Sequence, residues 1–463
     1  MRLTFLAMSS GALSYRPFYQ EMNQRVDLDW VVSEPQLARH YSHYGFPPVL
    51  LDVEQRSRNL RTLSDQELLT RLEEMRVRLG VASLRPLFWS SEAYHTETIY
   101  SIYDQRRLWT RALAIYDLFS EYLEQARPDF VIQDLGGEAE RRVMRLLCTA
   151  MDIDTVVMNY VPFREGIQPS ANEYSKAYGI LLRDVSPKEV ADYLDLVRSA
   201  SPRYVFGVCP PNPPLRDRAQ RFISDPDRLG LVMGMIRNTF AARYRTMRKF
   251  VGNRLIRWLA GRVPTGRRMI LFTLGSPVES ILTVSARGFH DQYMLVKQIA
   301  LHMPEDHVLC VKCHPHYMRR SDLRELWELK GLQDVYFASA DTDLRDLLAR
   351  TSVLITVGST VGFEALALGV PVITLGESIY SGRGLTIDID KIGDLSRAID
   401  AARNFSVSQD AVTSMAADWL SQAFNGMYGW QVDVLAADLL RFCDQRQAQK
   451  VIGNLARPGQ AGS

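Results

Sequence analysis

The sequence predicts an α/β protein built from two doubly wound domains, in each of which helices cover a mainly parallel sheet. The chain has 463 residues, which is enough for two or three domains with cores of their own. Short β-branched or apolar runs alternate with helical stretches, most clearly from Arg268 onward. With 46% hydrophobic and 23% charged residues, the composition is that of a globular protein and argues against extensive disorder, collagen-like repeats and a coiled-coil rod.

The first half of the chain predicts the first sheet. Its strand candidates are short apolar runs at Leu3–Met8, Val49–Val53, Pro86–Trp89, Phe130–Gln133 and Thr155–Met158. A long helical stretch runs from about Glu92 to Gln125. A second amphipathic stretch, Leu229–Val263, is broken by Pro264. We therefore assign residues 1–264 to the first domain, with the basic stretch at its end.

The second half predicts the second sheet with more regular spacing. Strands are indicated at Met269–Leu274, His307–Lys312, Val335–Phe337, Val353–Val357 and Val370–Leu375. Helical patterns between them lie at Asp291–His302, Ser321–Glu328, Leu344–Ala349 and Val361–Leu368. This domain is assigned residues 265–408. The remaining residues, 409–463, are predicted to form helices that cross back onto the first domain, followed by a frayed tail.

The charge and cysteine counts exclude several classes of protein. Lysine and arginine number 55 and aspartate and glutamate 53, and the net charge of +2 predicts no nucleic-acid partner. The cysteines, among which Cys310 and Cys313 have no second pair, favour a reducing compartment and argue against zinc. The apolar run Arg2–Met8 is too short for a signal peptide and predicts a first strand. The stretch Ser352–Gly376 holds Glu364 near its middle, which argues against a membrane span. We expect a cytoplasmic protein.

One segment of the chain is strongly basic. No acidic residue occurs between Asp227 and Glu279, whereas arginines accumulate in Arg237–Arg262. Two interpretations stay open for this segment. It is either a solvated helix face beside an anionic substrate cleft or a peripheral attachment site for anionic lipids at the inner face of the cytoplasmic membrane.

Three short motifs follow strands of the second domain. Gly275–Glu279 places a carboxylate after the strand Met269–Leu274. Lys312–Pro315 places a cation and the imidazole of His314 after the next strand. A third motif, Thr356–Ala365, joins a later strand to a helix. Because the carboxyl ends of parallel strands meet at one edge of a sheet, we expect the three motifs to converge on one crevice.

The third motif predicts a phosphate site. Gly358 allows a tight turn, and Ser359 and Thr360 offer hydroxyl and N–H groups at the start of a helix. Glu364 follows about one helical turn later, where its carboxylate could accept hydrogen bonds from ribose hydroxyls. The alternative for Glu364 is a partner of the helix dipole or of a salt bridge.

Together these motifs resemble the Kdo transferases of bacterial capsular polysaccharide synthesis. The family pattern is Gln-x-Glu, a His-Pro preceded by Lys, a Ser-Thr-x-Gly-x-Glu-Ala-Leu helix start, and a Gly-x-x-x-Tyr-x-Gly-x-Gly loop. The matching segments here are Pro277–Glu279, Lys312 with His314-Pro315, Ser359–Leu366 and Gly376–Gly384. The resemblance covers about Met269 to Thr386, whereas the first half matches only in general layout.

Three residues depart from the family pattern. Pro277 stands where the family has Gln, Cys313 where a Glu often precedes the His, and Arg383 where an aromatic residue is frequent. These departures concern the identity of the donor sugar, since the carboxylate, the imidazole and the phosphate loop are all present.

The resemblance implies a GT-B glycosyltransferase with two Rossmann-like domains facing a cleft. It implies transfer of Kdo from CMP-Kdo with retention, to a glycan or lipid-linked acceptor held by the first domain. The residues that it implies for donor binding are Lys312, His314, Pro315, Ser359, Thr360, Gly362, Glu364 and Tyr380. Because a CMP donor carries one phosphate, the helix start with Lys312 and His314 can neutralise it, and we expect neither a metal ion nor an organic cofactor.

Retention by double displacement requires a nucleophile and a second group that moves a proton. We predict Glu279 as the nucleophile, with His314 in the same catalytic set. In the first domain, Asp134 ends the strand Phe130–Gln133 ahead of a glycine turn and could deprotonate the acceptor hydroxyl. The alternative for Asp134 is a turn or cap residue before the helix that begins near Glu138.

Two other functions remain open from the sequence. The chain could be a GT-B transferase or a 2-epimerase that uses a UDP- or GDP-sugar. It could also be an inactive scaffold of a polysaccharide assembly complex, although the presence of Glu279, His314 and Glu364 argues against that.

Overall fold

The computed structural model describes residues 1–8, 12–88, 105–172, 177–199, 264, 266–275, 282, 285–312, 327–338, 342–429 and 431–455. The chain divides into two compact units. The first comprises Met1–Tyr193, Val278–Ser285 and Ser414–Ser463, and the second comprises Leu194–Pro277 and Ala286–Thr413. The domain boundary predicted at residue 264 follows a stretch, 200–263, that lies outside the described residues, so the predicted bounds stay predictions.

The first unit is built on a six-stranded sheet. Its strands are β1 (Arg2–Leu6), β2 (Asp27–Val32), β3 (Val49–Leu50), β4 (Phe130–Asp134), β5 (Asp154–Tyr160) and β6 (Ile167–Ser170). Their order is β3-β2-β1-β4-β5-β6, and all neighbours are parallel except β5 and β6. The helices are α1 (Ala12–Asn23), α2 (Pro35–His43), α3 (Val53–Leu60), α4 (Asp65–Arg78), α5 (Gln105–Ala126), α6 (Ala139–Ala150) and α7 (Pro187–Ser199), the last of which ends in the second unit.

Both faces of this sheet are buried. Leu3 and Phe5 of β1 join one hydrophobic core, and Leu6 joins the other. In β4, Phe130 lies in the first core and Val131 in the second. Side chains alternate between the two faces of a strand, so this division is the one expected for a parallel sheet covered by helices on both sides.

The second unit is built on a fully parallel sheet. Its strands are β7 (Arg268–Thr273), β8 (His307–Lys312), β9 (Val335–Ala338), β10 (Thr351–Thr356), β11 (Val372–Leu375) and β12 (Ile387–Ile389). Their order is β12-β11-β10-β7-β8-β9. The described helices are α8 (Gln292–His302), α9 (Leu344–Leu348), α10 (Val361–Ala367) and α11 (Leu395–Ala402).

The two sheets have the same topology. Numbered along the chain within each unit, the strands of both sheets follow the order 3-2-1-4-5-6, which is that of dinucleotide-binding domains. The predicted fold class, two doubly wound α/β domains, is therefore confirmed.

Several predicted elements need correction. The strand predicted at Pro86–Trp89 is wrong: residues 85–88 are helical, and Leu84, Leu87 and Phe88 are buried at helical spacing in the second core of the first unit. The strand predicted at Val49–Val53 ends at Leu50, because α3 begins at Val53. The strands β2, β6 and β12 were not predicted.

The C-terminal segment adds two helices, α12 (Gln409–Gln422) and α13 (Val432–Leu455). Leu435, Leu439 and Phe442 of α13 are fully buried in the same core as Leu3 and Phe5. The C-terminal helix thus completes one face of the first sheet, as the sequence predicted for this segment. None of the helices in the described part of the chain is long and apolar enough to cross a membrane.

Truncating a core side chain of α13 should destabilise the protein. Leu439→Ala removes a fully buried side chain, and we expect the free energy of unfolding to fall by about 2–5 kcal/mol in urea denaturation. Leu440→Ala, at a partly buried position on the same helix, is the matched control and should cost clearly less. Equal losses in the two variants would contradict the packing described for α13.

Candidate functional site

The described residues of the three predicted motifs lie at the edge of the second sheet where its strands end. β7 and β10 are neighbours, and the chain leads from them in opposite directions across the sheet, to β8 and to β11. At such a switch point a doubly wound sheet opens a crevice beyond its carboxyl ends. Gly275 follows β7, Gly358 to Thr360 follow β10, and Lys312 ends β8 beside them.

The turn between β10 and α10 is ordered by local contacts. Gly358 is buried with φ +66°, a left-handed conformation that favours glycine. The hydroxyls of Thr356 and Ser359 share a hydrogen bond of 2.9 Å. Within the described chain, the backbone N–H groups of Thr360 and Val361 have no acceptor. Because α10 has only seven residues, these N–H groups rather than a helix dipole are what the turn offers to an anion.

Tyr380 supports this turn from the protein interior. Its side chain is fully buried, and its hydroxyl donates a hydrogen bond of 2.7 Å to the carbonyl oxygen of Ser359. Burial raises the pKa of the phenol, which therefore stays protonated. Gly362 leaves the space that the ring occupies, because a Cβ at this position would overlap the hydroxyl and ring of Tyr380. Tyr380 was predicted as a donor-binding residue; in the structure its fully buried side chain supports the backbone of the Ser359 turn.

The loop that carries Tyr380 is shaped by glycines. Gly376, Gly382 and Gly384 all have positive φ, between 70° and 79°. The carboxylate of Asp388 accepts a hydrogen bond of 2.7 Å from the N–H of Gly382. Arg383, which replaces an aromatic residue of the family pattern, is exposed. The glycine-rich motif therefore serves to bring Tyr380 under the Ser359 turn.

Glu364 is a buried carboxyl group on the first turn of α10. It is 7% exposed, and burial raises its pKa to about 7, an effect that Arg345 opposes and Asp343 reinforces. Among the described residues Glu364 forms neither a hydrogen bond through its side chain nor an ion pair, so the predicted alternative of a salt-bridge partner is not realised there. A buried carboxyl at a crevice with a pKa near neutrality is typical of a functional group.

Two cations lie at the same edge of the sheet. The Nζ of Lys312 donates a hydrogen bond of 2.9 Å to the carbonyl oxygen of Thr342, just before α9. Arg345, on the first turn of α9, donates from Nη1 to the carbonyl oxygen of Ser199 at 2.5 Å. Both side chains are thus held in place by backbone oxygens near the site.

Gln292 is a site-edge residue that the sequence did not single out. It is buried, its Oε1 accepts from the N–H of Gly275 at 2.6 Å, and its Nε2 donates to the carbonyl oxygen of Gly275 at 3.0 Å. The side chain therefore pairs with both polar groups of the residue that follows β7. The sequence gives one indication of this residue: Gln292 is a polar residue at the first position of a helix that is otherwise largely apolar.

Several predicted residues lie outside the described part of the chain. These are Glu279, His314 and Pro315, together with the basic segment Arg237–Arg262. Among the residues that the structure does describe, no cluster of three or more His, Cys, Asp or Glu side chains could hold a metal ion. The expected metal independence stays a prediction.

In the first unit, Asp134 lies at the corresponding switch point, between β1 and β4. Its Oδ2 accepts from the hydroxyl of Tyr15, and its Oδ1 accepts from that of Tyr428 at 2.5 Å. Arg141 is 4.0 Å from the carboxylate, and its side chain is 7% exposed. The N-cap of α6 is Glu138, so the carboxylate of Asp134 serves these three side chains instead of capping the helix.

Arg141 fills the space above the turn that follows β4. Its Nη1 donates to the carbonyl oxygen of Leu135 at 3.1 Å and to the carboxylate of Glu138 at 2.8 Å. A Cβ on Gly136 would overlap this guanidinium group. The glycine is therefore required by the close approach of the protein's own arginine.

Comparison with known proteins bears on the second unit. Residues 263–418 match the family model described as capsule polysaccharide biosynthesis protein. Over this segment the chain is similar to the capsule polysaccharide biosynthesis family. The match spans about one third of the chain and includes the Ser359 turn, Glu364 and the Tyr380 loop. The capsular family predicted from the motifs is thereby confirmed.

Individual relatives are distant. Protein FixF of Sinorhizobium fredii is 30% identical over 113 residues, which is 24% of this chain and 27% of FixF. The chain therefore spans about a quarter of the length of this curated relative.

Solved structures with some similarity include two transferases and an epimerase. Thermosulfurimonas dismutans KpsC, beta Kdo 2,7 transferase, is 16% identical, with 70% of this chain and 88% of that chain covered and a TM-score of 0.34. A glycosyltransferase from Rickettsia africae is 10% identical, with 96% and 98% covered and a TM-score of 0.32. UDP-GlcNAc 2-epimerase from Neisseria meningitidis is 12% identical, with 95% and 100% covered and a TM-score of 0.27. None of these likenesses assigns an activity to this chain.

The contact between Gly362 and the ring of Tyr380 predicts that position 362 tolerates no side chain. Gly362→Ala forces a Cβ into the Tyr380 ring, and we expect a loss of at least about 1–3 kcal/mol in the free energy of unfolding. Gly393→Ala is the matched control, because a Cβ at Gly393 meets no atom within 4 Å. Wild-type stability of Gly362→Ala would show that the ring does not occupy this space.

Glu364 predicts a pH-dependent stability. Its pKa is raised in the folded state, so ionisation of the carboxyl opposes folding. The stability that the protonated carboxyl contributes should therefore be lost as pH rises from about 4.5 through about 7. Glu364→Gln should therefore be more stable than the wild type at pH 8, by up to about 3 kcal/mol, and close to it at pH 5. Urea denaturation at both pH values measures this. The exposed Glu377→Gln is the control, and the same pH response in both variants would contradict the assignment.

Proposed function

We propose that this protein is a glycosyltransferase of capsular polysaccharide synthesis that transfers Kdo from CMP-Kdo, with retention, to a glycan or glycolipid acceptor. The observation that carries the proposal is the turn Gly358–Thr360 at the switch point of the second sheet, held by Tyr380 and flanked by Glu364. The capsule-family match over the same segment supports it.

The turn suits a donor with a single phosphate. The N–H groups of Thr360 and Val361 and the hydroxyl of Ser359 can bind phosphate oxygens, and Lys312 adds one positive charge from β8. We further assign His314 and Pro315, which follow the same strand, to the phosphate. A CMP-sugar has one phosphate, so this set neutralises it without a metal ion.

Glu364 suits the ribose of the nucleotide. It follows the phosphate turn by one helical turn, and its carboxyl is buried without a protein partner among the described residues. Hydrogen bonds with the two ribose hydroxyls would satisfy this carboxyl, which would otherwise stay buried and unpaired.

The proposed chemistry is a double displacement. The carboxylate of Glu279 attacks the anomeric carbon, the bond from that carbon to the phosphate oxygen breaks, and CMP leaves. The acceptor hydroxyl then attacks the same carbon, its proton passes to Asp134, and the bond to Glu279 breaks, which gives net retention. The hydroxyls of Tyr15 and Tyr428 each donate a hydrogen bond to the carboxylate of Asp134 and hold it in place.

The place of action forms part of the proposal. A lipid-linked acceptor would lie at the cytoplasmic face of the membrane, where anionic lipids attract each nearby arginine or lysine by about 1 kcal/mol. The basic segment Arg237–Arg262 would supply this attraction. A solvated face beside the donor cleft remains the alternative for the segment.

Release of CMP tests the function directly. With CMP-Kdo and a glycan acceptor, the wild type should release CMP in the presence of EDTA. Glu279→Ala should reduce release to background while leaving CMP affinity nearly unchanged, because a nucleophile lowers the barrier and not the ground-state energy. His314→Ala should abolish most of the thermal stabilisation by CMP, through loss of a charge-assisted hydrogen bond.

The exposed Glu377→Gln is the control for these variants and should behave as the wild type. Turnover with a UDP- or GDP-sugar but not with CMP-Kdo would contradict the donor assignment. Near wild-type release by Glu279→Ala would contradict the nucleophile.

A further inference from the structure

Arg345 has a guanidinium nitrogen without a hydrogen-bond partner among the described residues, at the carboxyl edge of the second sheet. Its Nη1 donates a hydrogen bond to the carbonyl oxygen of Ser199, which holds the guanidinium group at this edge. Its Nη2 is buried and has no hydrogen-bond partner among the described residues. A buried guanidinium N–H without an acceptor is costly, so a bound anion at this position would stabilise it.

The neighbouring carboxyl groups do not fill this role. Asp343 accepts the backbone N–H of Arg345 at 2.9 Å and caps α9. Glu364 is close enough for the charge of Arg345 to lower its pKa, yet the two form no ion pair in the structure. The positive charge of Arg345 therefore lowers the pKa of Glu364, but its guanidinium group forms no ion pair with Glu364 in the structure.

The backbone path places Arg345 at the donor end of the sheet. α9 begins after β9 and leads back to the start of β10, so its first turn lies at the carboxyl edge. Lys312, at the end of β8, bonds to Thr342 immediately before this turn. The start of α9 and the first turn of α10 thus surround the same edge.

We propose that Arg345 binds an oxyanion of the donor, either the nucleotide phosphate or the carboxylate of the sugar. A guanidinium group is planar and presents several N–H donors in one fork, which suits both phosphate and carboxylate oxygens. This inference rests on the proposed function, and it makes Arg345 a determinant of donor choice in addition to the motif residues.

Calorimetric titration with cytidine, CMP and CMP-Kdo tests the proposal and distinguishes the two anions. If Arg345 binds the phosphate, Arg345→Gln should weaken CMP about 10-fold or more and leave cytidine unchanged. If it binds the sugar carboxylate, CMP should be unchanged and CMP-Kdo weakened by the same factor. Arg345→Lys keeps the charge without the planar group and should lose less than Arg345→Gln in either case.

Arg397→Gln is the matched control, since it removes one positive charge from a side chain that is 82% exposed on α11. It should bind all three ligands as the wild type does. Thermal melting without ligand shows whether each variant is folded. If Arg345→Gln is not folded, the comparison of Arg345→Lys with the wild type tests the proposal.

Unchanged affinity of both Arg345 variants for CMP and CMP-Kdo would overturn the Arg345 proposal alone. An equal loss for cytidine and CMP would also overturn it, because a general distortion of the site does not depend on the anion. A wild type that binds neither CMP nor CMP-Kdo would overturn the proposed function as well.

Discussion

The hydrogen bond from the Tyr380 hydroxyl to the Ser359 carbonyl, with Gly362 against the ring, fixes the backbone on which the candidate site depends. A phenol buried without a partner would be unfavourable by several times the net gain of an ordinary hydrogen bond, so the turn and the ring specify each other. The glycines at positive φ around Tyr380 then serve one purpose, since they bend the loop after β11 until the ring reaches beneath α10. The N–H groups of Thr360 and Val361 are consequently held in one orientation by the protein itself.

The electrostatics of the edge follow from burial. Glu364 is buried, and Arg345 lowers its pKa without restoring it to the usual range. Lys312 and Arg345 each donate a hydrogen bond to a backbone carbonyl oxygen at this edge of the sheet.

The sequence predicted the second sheet well for a physical reason. Parallel strands buried on both faces are continuous apolar runs, and β7, β8 and β10 all have this form. β2 was missed because Asp27 and Asp29 interrupt its run; in the structure Asp29 is bonded to Arg2 at 2.9 Å at the start of the neighbouring strand. The helical segment 85–88 was mistaken for a strand, because a short apolar run fits both periods.

The site was predicted as far as local motifs extend. The Ser359 turn and Glu364 are adjacent in sequence, so their spacing revealed them. The supporting role of Tyr380 could not be predicted without the geometry of its loop. The sequence shows that a tyrosine is present, but not that its hydroxyl bonds to the carbonyl oxygen of Ser359. Gln292 and Arg345 belong to other helices and bond to the backbone of Gly275 and Ser199, contacts that depend on the tertiary structure and not on a local motif.

The two units share a topology, but they use the turn after their fourth strand differently. After β10 the turn keeps N–H groups without a partner in the described chain. After β4 the guanidinium of Arg141 already lies over Gly136, bonded to Leu135 and Glu138. The turn after β4 is thus filled by the protein's own guanidinium group, whereas the turn after β10 is the one that the proposed function assigns to the phosphate of a nucleotide.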